Sequence, residues 1–318
     1  MDELHTSQIT SHESRLLDVR GALKEAMARL RAGCVASHTL AAELLLMHVL
    51  GCERAWLYAH PEQRLDPATA ARYLDLVAQR ITGVPTQYLT GRQEFWGLEF
   101  EVTRDVLIPR PETEHVVEVA LERISRRRAP GRGRPATNGA GLRVADVGTG
   151  SGCLAVALAR ELAEALVLAT DISPAALAVA RRNAARHGVS SRIVFVQCNL
   201  LDAFLRESRA TNHESRLFDL IVSNPPYLGR GEAELLPREV REHEPREALF
   251  AGEVGFEVYA PLIRQAEELL VTSGVLVLEL GYNALDRVRS LFDGAAWTRA
   301  GVTNDLAGIP RVIAAERV

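Results

Sequence analysis

The chain has 318 residues, of which 47% are hydrophobic and 25% are charged, so it is long enough for one or two domains with a substantial core. Its 37 basic and 41 acidic residues give a net charge of −4, which argues against a basic surface for nucleic acid or anionic membranes. The four cysteines show no C-x-x-C spacing, so the sequence indicates neither a zinc site nor a disulfide framework. With no leader-like or membrane-spanning apolar run, we expect a soluble cytoplasmic protein.

The first part of the chain has the pattern of a small helical bundle. Residues 1–14 lack periodicity and are expected to be disordered. Apolar residues at helical spacing predict a helix from Leu16 to Leu30, followed by helices over about 37–50, 53–59 and 67–82. No catalytic constellation occurs in this part, so residues 1–83 are predicted to be an N-terminal domain that binds or positions a substrate.

An aromatic-rich segment follows the helices. Residues 94–102 alternate partly and predict a β-hairpin, within a linker over 84–109. The sequence Pro109-Arg110-Pro111-Glu112-Thr113-Glu114 comes next. Pro111 suits the first turn of a helix, and the acids suit the positive end of its dipole. A helix N-terminus is therefore at least as well supported there as a direct ligand role. Residues 126–135, rich in Gly, Pro and Arg, are expected to be a solvated connector, and contact with RNA is the alternative.

From Leu142 onward, predicted strands and helices alternate. The strands lie near 143–147, 166–170, 192–196, 218–223, 275–280, 297–302 and 311–315, with helices over 153–162, 174–187, 258–270 and 285–292. This order predicts an α/β fold with a mostly parallel sheet, and residues 110–318 as one catalytic domain. A polar insertion at 206–216, which repeats part of the N-terminal sequence, is expected to carry no chemistry.

A glycine-rich loop follows the first of these strands. It consists of Gly148, Thr149, Gly150, Ser151 and Gly152. Cys153 stands where a dinucleotide fingerprint would place its last glycine, which argues against NAD. Asp171 ends the next strand and can accept hydrogen bonds from ribose hydroxyls, although a turn or helix-cap role before Pro174 is the alternative. Together these features describe an adenosine-containing ligand with an amino-acid tail, S-adenosyl-L-methionine.

A second polar corner follows the buried strand 218–223, with the sequence Asn224-Pro225-Pro226-Tyr227. Neither Pro225 nor Pro226 has an N–H, so strand pairing ends and the corner is stiff. The Asn224 side-chain oxygen and the Pro225 carbonyl are acceptors that suit an NH₂ group whose lone pair attacks a methyl. Tyr227 would then pack on the substrate side chain. The plainer alternative is a rigid turn that holds an Asn and a Tyr.

Taken together, these motifs resemble class I methyltransferases that act on amino groups. Segments 93–98, 107–114 and 304–311 narrow the resemblance to the peptide-chain release factor glutamine methyltransferase family (PrmC/HemK), from about residue 16 to the C-terminus. The resemblance implies a Rossmann-like fold and S-adenosyl-L-methionine as methyl donor. It implies, as substrate, the side-chain amide nitrogen (N5) of the glutamine in the Gly-Gly-Gln motif of class I release factors. It also implies that Asn199 and Leu200 lie near the adenine, where the family usually has an acid instead of Asn199. The family's usual turn appears here as Glu253-Val254-Gly255, so that loop is expected to differ.

Three other functions stay open at this point. A sister family methylates a large-subunit ribosomal protein, but it does not usually carry the Pro-Glu-Thr-Glu segment. An amino-directed nucleic-acid methyltransferase could use the same Asn224 corner, although it would need a basic groove and aromatic platforms. A non-catalytic module that binds a translation factor would have no use for the glycine loop. The expected partner is therefore a class I release factor, without a membrane or a direct nucleic-acid substrate.

Overall fold

A computed structural model describes residues 17–128, 141–205 and 218–318 of the chain. They divide into two compact units between Thr90 and Gly91. The expected disorder at 1–14 lies outside the described residues, as do the insertion at 206–216 and most of the connector at 126–135. Residues 126–128 belong to a helix instead. Within the described ranges, no helix has both the length and the hydrophobicity needed to cross a bilayer.

The first unit contains the four helices predicted from periodicity, and a fifth short one that was not predicted. The five are α1 (Val19–Ala32), α2 (His38–Leu50), α3 (Arg54–Ala59), α4 (Pro67–Ile81) and α5 (Thr86–Thr90). Asp18 caps α1 by accepting from the Gly21 backbone N–H at 2.7 Å, and Asp66 caps α4 through two backbone N–H groups at 3.0 Å. Helices α1, α2 and α4 bury their apolar faces in one core, where Tyr73 is completely buried.

The predicted hairpin is present as antiparallel strands β1 (Arg92–Phe95) and β2 (Leu98–Glu101), and it belongs to the second unit. Phe95 and Phe100 are buried in the core of that unit. The Glu101 backbone N–H also donates to Asn183 Oδ1 at 2.8 Å. The hairpin is therefore part of the second unit, and the linker bounds of 84–109 stay a prediction.

The second unit is built on a seven-stranded sheet with helices on both faces. Its further strands are β3 (Arg143–Val147), β4 (Leu166–Asp171), β5 (Ile193–Gln197), β6 (Phe218–Ser223), β7 (Leu228–Gly229), β8 (Phe250–Gly252), β9 (Leu270–Glu279), β10 (Gly301–Asn304) and β11 (Pro310–Glu316). Its helices are α6 (Glu114–Arg128), α7 (Cys153–Glu161), α8 (Pro174–Arg186), α9 (Arg238–His243), α10 (Arg246–Leu249), α11 (Tyr259–Leu269) and α12 (Leu285–Ser290).

The strand order of the large sheet is β10-β11-β9-β6-β3-β4-β5. Only β11 runs opposite to the other six strands, so its pairings with β10 and β9 are antiparallel and all other pairings are parallel. Successive residues of β3 alternate between the two cores: Val144 packs on the side of α6 and α7, and Ala145 on the side of α11. Every residue of β6 is buried, as expected for a strand covered on both faces. The predicted α/β fold with a mostly parallel sheet is confirmed.

The position of β3 locates the site. Its two neighbours are β4 on one side and β6 on the other. The chain therefore builds the sheet outward from β3 on one side, through β4 and β5, and then crosses to the other side to form β6. In open α/β sheets such a reversal opens a crevice at the carboxyl ends of the strands. The glycine loop leaves β3 and residues 224–227 leave β6 at this edge. Both sequence motifs therefore face the same crevice.

Candidate active site

A cavity of about 530 Å³ lies at the carboxyl ends of β3, β4, β5 and β6. Most of the residues predicted to bind the cofactor line it: Gly148, Thr149, Gly150, Ser151, Asp171, Asn199, Leu200 and Asn224. Pro226 also lines it, whereas Gly152, Pro225 and Tyr227 do not. One cavity thus brings together the glycine loop and the Asn224 corner.

The glycines of the loop have different physical reasons to be glycine. Gly148 and Gly150 have φ of +72° and +53°, and a Cβ on either would meet no described atom within 4 Å. Their open faces line the cavity, so a ligand can approach the backbone there. Gly152, with φ of +82°, directly precedes α7, and a Cβ on it would lie 3.0 Å from the Cβ of Ala180. It therefore permits close helix packing and does not line the cavity.

A buried carboxyl group, which the sequence analysis missed, lies under the loop. Asp146 Oδ2 accepts from the Thr149 hydroxyl at 2.6 Å and from the Ala155 backbone N–H at 3.0 Å. These bonds tie the glycine loop to the first turn of α7. Burial raises the pKa of Asp146 to about 7, and the two hydrogen bonds oppose that rise. The sequence did contain an indication of this group, because an acidic residue is unusual in a buried strand that leads into a G-x-G-x-G loop.

Asp171 has the turn role that the sequence offered as the alternative, and its ribose contact stays a prediction. Its Oδ1 accepts from the Ser173 backbone N–H, and its Oδ2 accepts from the Gly150 backbone N–H, both at 2.9 Å. The first bond makes the turn before α8, and the second holds the glycine loop. Burial raises the pKa of Asp171, and the nearby charge of Glu247 adds to the rise. Each carboxylate oxygen keeps a second lone pair, so a ribose hydroxyl can still be bound.

Asn199 and Leu200 form the wall beyond β5. Leu200 has φ of +48°, a left-handed conformation that is strained for leucine. Strained residues of this kind often mark ligand sites. The turn is fixed by the Cys198 backbone N–H, which donates to the Asp171 carbonyl at 3.1 Å, and by the Asp202 backbone N–H, which donates to the Asn199 carbonyl at 3.1 Å. Asn199 provides a neutral acceptor at a position where a carboxylate would bind an amino group more strongly.

The orientation of the Asn224 amide is set by a residue far away in sequence. Asn224 Nδ2 donates to the Thr113 hydroxyl at 3.0 Å, and Thr113 is only 2% exposed. Because the NH₂ end of the amide is engaged, the Oδ1 end is the one left for a substrate. No hydrogen bond to Oδ1 is made from within the described part of the chain. Pro225 is buried, and Pro226 forms part of the cavity wall.

The Pro109–Glu114 segment has the predicted role of a helix start, and its direct ligand role stays a prediction. Pro111–Thr113 form a 3₁₀ turn that leads directly into α6, so the segment is a helix start. It also carries Thr113 into the cavity wall. Arg110 in the same segment forms an ion pair with the buried Glu244 at 2.5 Å, and Glu244 also accepts from the Ile108 backbone N–H. Glu244 precedes Pro245 and α10, which reach the cavity.

Tyr227 rests against the backbone of another loop. A Cβ on Gly281 would lie 2.7 Å from Cδ2 of the Tyr227 ring, so the ring is in contact with that glycine. Burial raises the pKa of Tyr227 to about 12. The ring is packed in the protein at the edge of the corner, and its predicted contact with a substrate side chain stays a prediction.

The loop expected to differ from the family is closed by a carboxylate. Glu257 accepts from the backbone N–H groups of Val254 and Phe256, each at 2.8 Å. Gly255 has φ of +86°, and a Cβ there would lie 2.7 Å from the Tyr227 carbonyl oxygen. A Cβ on Gly229 would lie 2.8 Å from the Glu253 carbonyl oxygen. The two stretches are therefore in direct backbone contact, which fixes the corner from behind.

The hairpin between β10 and β11 brings a positive charge toward the corner. Asp305 Oδ2 accepts from Arg311 Nε at 2.8 Å, and Asp305 Oδ1 accepts from the backbone N–H groups of Ala307 and Ile309, each at 2.9 Å. Arg311 in turn acts on Glu279, a carboxyl group that is 2% exposed. Burial raises the pKa of Glu279 to about 7, while a hydrogen bond from Thr113 and the charge of Arg311 oppose the rise.

Several lining residues carry no sequence signal. They come from the stretch between β7 and α11, and include Pro245, Glu247, Ala248 and Phe250. This stretch consists of a 3₁₀ turn, the short helices α9 and α10, and the two-residue pairing of β7 with β8. Elements of this length show no periodicity that a sequence pattern could reveal.

Comparison with known proteins adds an independent observation. The family model described as PrmC N-terminal domain matches residues 21–91, and the model described as Methyltransferase small domain matches residues 136–237. A protein of Koribacter versatilis named release factor glutamine methyltransferase is 42% identical over 93% of this chain and 98% of its own length. One of the same name from Nitratidesulfovibrio vulgaris is 40% identical over 97% of both chains.

Among solved structures, the hMettl16 catalytic domain in complex with the MAT2A 3′UTR hairpin 6 superposes with a TM-score of 0.52. It shares 18% identity, over 76% of this chain and 81% of that one. At this identity the similarity concerns the fold alone. It agrees with the sheet and the crevice described above.

Proposed function

This chain belongs to the release factor glutamine methyltransferase family, and from this premise we propose its reaction and its substrate. It transfers a methyl group from S-adenosyl-L-methionine to the side-chain amide nitrogen (N5) of the glutamine in the Gly-Gly-Gln motif of class I peptide-chain release factors. The observation that carries the proposal is the fixed amide of Asn224. Its NH₂ end is held by Thr113 at 3.0 Å, in the wall of the cavity that the glycine loop also lines.

The cavity fits the methyl donor. The open faces of Gly148 and Gly150 allow the backbone to approach the amino-acid end, and Asp171 has lone pairs left for the ribose hydroxyls. Asn199 and Leu200 would hold the adenine beyond β5. When bound, S-adenosyl-L-methionine supplies an electrophilic methyl group on a sulfonium sulfur. The chain's own groups account for the rest of the reaction.

The chemical problem is the poor nucleophile. The lone pair of an amide nitrogen is delocalised, so it must be oriented toward the methyl group with its two N–H bonds held. Asn224 Oδ1 and the Pro225 carbonyl accept those two bonds in the proposed complex, and Tyr227 packs on the glutamine side chain. Catalysis then depends mainly on positioning and on fixed dipoles, without a strong general base.

The proposal also names the partner and the compartment. Class I release factors are the protein partner, and nucleic acid is not the methyl acceptor. Residues 1–83 would bind or position the release factor. The four cysteines are free, as in a reducing compartment, which agrees with a cytoplasmic protein.

A side-by-side methylation assay tests the proposal. The purified chain is incubated with labelled S-adenosyl-L-methionine and, separately, a class I release factor, a large-subunit ribosomal protein and RNA. We expect label only in the release factor, with mass spectrometry placing one methyl group on the glutamine of Gly-Gly-Gln. A release factor with that glutamine replaced by alanine should take up none.

The control variants are matched by residue type. Asn224→Ala should lose turnover, whereas Asn283→Gly, a change of an exposed asparagine in the same unit, should keep it. Methylation of RNA or of the ribosomal protein, with the release factor left unmodified, would overturn the substrate assignment.

A further inference from the structure

A line of polar side chains runs from a buried carboxylate to the catalytic corner. Glu279 at the end of β9 interacts with the Thr113 side chain, which lowers the pKa of the glutamate, and the Thr113 hydroxyl accepts a hydrogen bond from Asn224 Nδ2 at 3.0 Å. Glu279 and Thr113 are each 2% exposed. The three residues come from three separate elements, so their meeting is a product of the fold and not of local sequence.

The chemistry of the three groups determines which of them donates and which accepts each hydrogen bond. An ionised carboxylate can only accept, and a threonine hydroxyl has one hydrogen to donate. If Thr113 donates that hydrogen to Glu279, only its lone pairs are left for the next group. Asn224 must then turn its NH₂ toward Thr113 and its carbonyl oxygen away. The ionised state of Glu279 thus dictates which end of the Asn224 amide reaches a substrate.

We propose that Glu279 and Thr113 are positioning residues, which together hold Asn224 with Oδ1 as the group presented to the substrate NH₂. This inference rests on the proposed function, because it assigns a purpose to the Asn224 acceptor. Reversal of the line would present the NH₂ of Asn224 instead, and two NH₂ groups cannot hydrogen-bond each other productively. A buried glutamate in this place therefore protects against a flipped amide.

A purely structural role does not explain the carboxylate. Burying an ionisable group is costly unless it is fully hydrogen-bonded. Oε2 of Glu279 finds no hydrogen-bond partner in the described ranges. A glutamine has nearly the same shape and no charge, so it would fill the space at lower cost. What glutamine lacks is the acceptor-only character, since its NH₂ can donate to Thr113 and allow the opposite direction.

The groups around Glu279 determine where it titrates. Arg311 of β11 interacts with it electrostatically, as do Arg110 and Glu112 from the segment before α6, and Tyr227 and Tyr259 are within the same range. Cys153, at the start of α7, is also within electrostatic range. The two arginines favour the ionised form, whereas Glu112 and burial oppose it. With a pKa of about 7, Glu279 is an acceptor only at higher pH, and its protonated form could donate to Thr113.

The experiment compares two pairs of variants in the full-length chain, with a release factor as substrate. Thr113→Val removes the hydroxyl at nearly constant shape, and Thr113→Ser keeps it. We expect Thr113→Val to lower kcat about tenfold or more, with an unchanged Kd for S-adenosyl-L-methionine by calorimetry, and Thr113→Ser to retain most activity. Glu279→Gln should also lower kcat about tenfold.

The pH profile separates positioning from mere packing. In the unmodified chain, kcat should fall as the pH decreases through about 7, because Glu279 becomes protonated. The Glu279→Gln variant should not show that decrease in kcat. Unchanged kcat and an unchanged pH profile in Glu279→Gln would overturn the proposal, and so would equal losses in Thr113→Ser and Thr113→Val.

Two further results distinguish a failed variant or a failed proposed function from a failed positioning role. If Thr113→Val does not fold by circular dichroism, the near-isosteric Glu279→Gln still tests the same line of bonds. Absence of release factor methylation by the unmodified chain would instead overturn the proposed function. Normal methylation by the unmodified chain and by all variants would overturn only the positioning role.

Discussion

The crevice has a cofactor half, formed by the glycine loop 148–152 and Asp171, and an acceptor half, formed by the corner at Asn224. The two halves are held together in different ways. On the cofactor half, the glycine loop is held by residues that are close to it in sequence. The Gly150 N–H donates to Asp171, 21 residues away, and the Thr149 hydroxyl donates to Asp146. On the acceptor half, side chains bridge long separations. Thr113 reaches Asn224 across 111 residues, and Arg110 reaches Glu244 across 134.

This difference predicts different sensitivities. Cofactor binding should depend on a few neighbouring groups and respond in affinity. The acceptor half should depend on distant contacts and respond in turnover, with affinity for the cofactor unchanged. The substitutions below test that separation, beginning with the largest expected effect.

Replacement of Asn224 by alanine should have the largest effect on the acceptor half. The variant loses the acceptor for the substrate N–H, so we expect kcat to fall about 10²–10³-fold. The Kd for S-adenosyl-L-methionine should change by less than about threefold in calorimetry, because Asn224 is one of many residues in the cavity and the glycine loop and Asp171 are not affected. A parallel loss of cofactor affinity would mean that the two halves are not separate.

Replacement of Glu279 by glutamine should change the pH dependence of stability. The pKa of Glu279 is raised to about 7 from 4.5, so between these values the folded state holds a proton that the unfolded state releases. The free energy of unfolding therefore falls as the pH rises through this window. Glu279→Gln removes that fall, and at pH 8 it should be more stable than the unmodified chain by about 1–3 kcal/mol.

Urea unfolding at pH 5 and pH 8 measures this effect. Asp146 has its pKa raised in the same direction and is present in both proteins, so its contribution cancels in the comparison. A variant that is less stable than the unmodified chain at pH 8 would contradict the expectation. A gain in stability together with a loss of turnover would show that the buried charge is kept for the reaction.

Replacement of Asp171 by alanine should act on the cofactor half. The variant loses the acceptor for the ribose and the bond to the Gly150 N–H, and we expect Kd for S-adenosyl-L-methionine to rise about tenfold or more. Asp171→Asn keeps one acceptor oxygen, so its Kd should lie between the values of the unmodified chain and of Asp171→Ala. At saturating cofactor, kcat should remain within about threefold of normal. Unchanged affinity by calorimetry would count against the ribose contact.

Replacement of Asn199 by aspartate should have the smallest effect, and in the favourable direction. A carboxylate accepts a stronger hydrogen bond from the adenine amino group than an amide oxygen does, so Kd should fall about three- to tenfold. Asn199→Ala, which has no acceptor, serves as the reference and should bind more weakly than the unmodified chain. Equal affinity of all three would place the adenine elsewhere.

The same division explains how far the sequence could lead. Strands and helices of the cofactor half follow from periodicity, and the loop at Gly148 and Asp171 follows from spacing, because local backbone geometry sets both. The corner at Asn224 was also visible, since two prolines after a buried strand leave few alternatives. Its partner Thr113 was not, because nothing in a linear pattern indicates that a helix start will meet a residue far downstream. Glu279 looked like the end of an ordinary strand.

The backbone contact behind the corner has a consequence for how this enzyme can vary. A Cβ on Gly229 or on Gly255 would lie 2.8 Å or 2.7 Å from a carbonyl oxygen of the opposing stretch, whereas a Cβ on Gly231 would meet no described atom within 4 Å. In saturation mutagenesis, the first two positions should tolerate glycine alone and the third should accept most residues. Attempts to reshape the pocket for a bulkier acceptor would therefore succeed only where neighbouring loops are redesigned together.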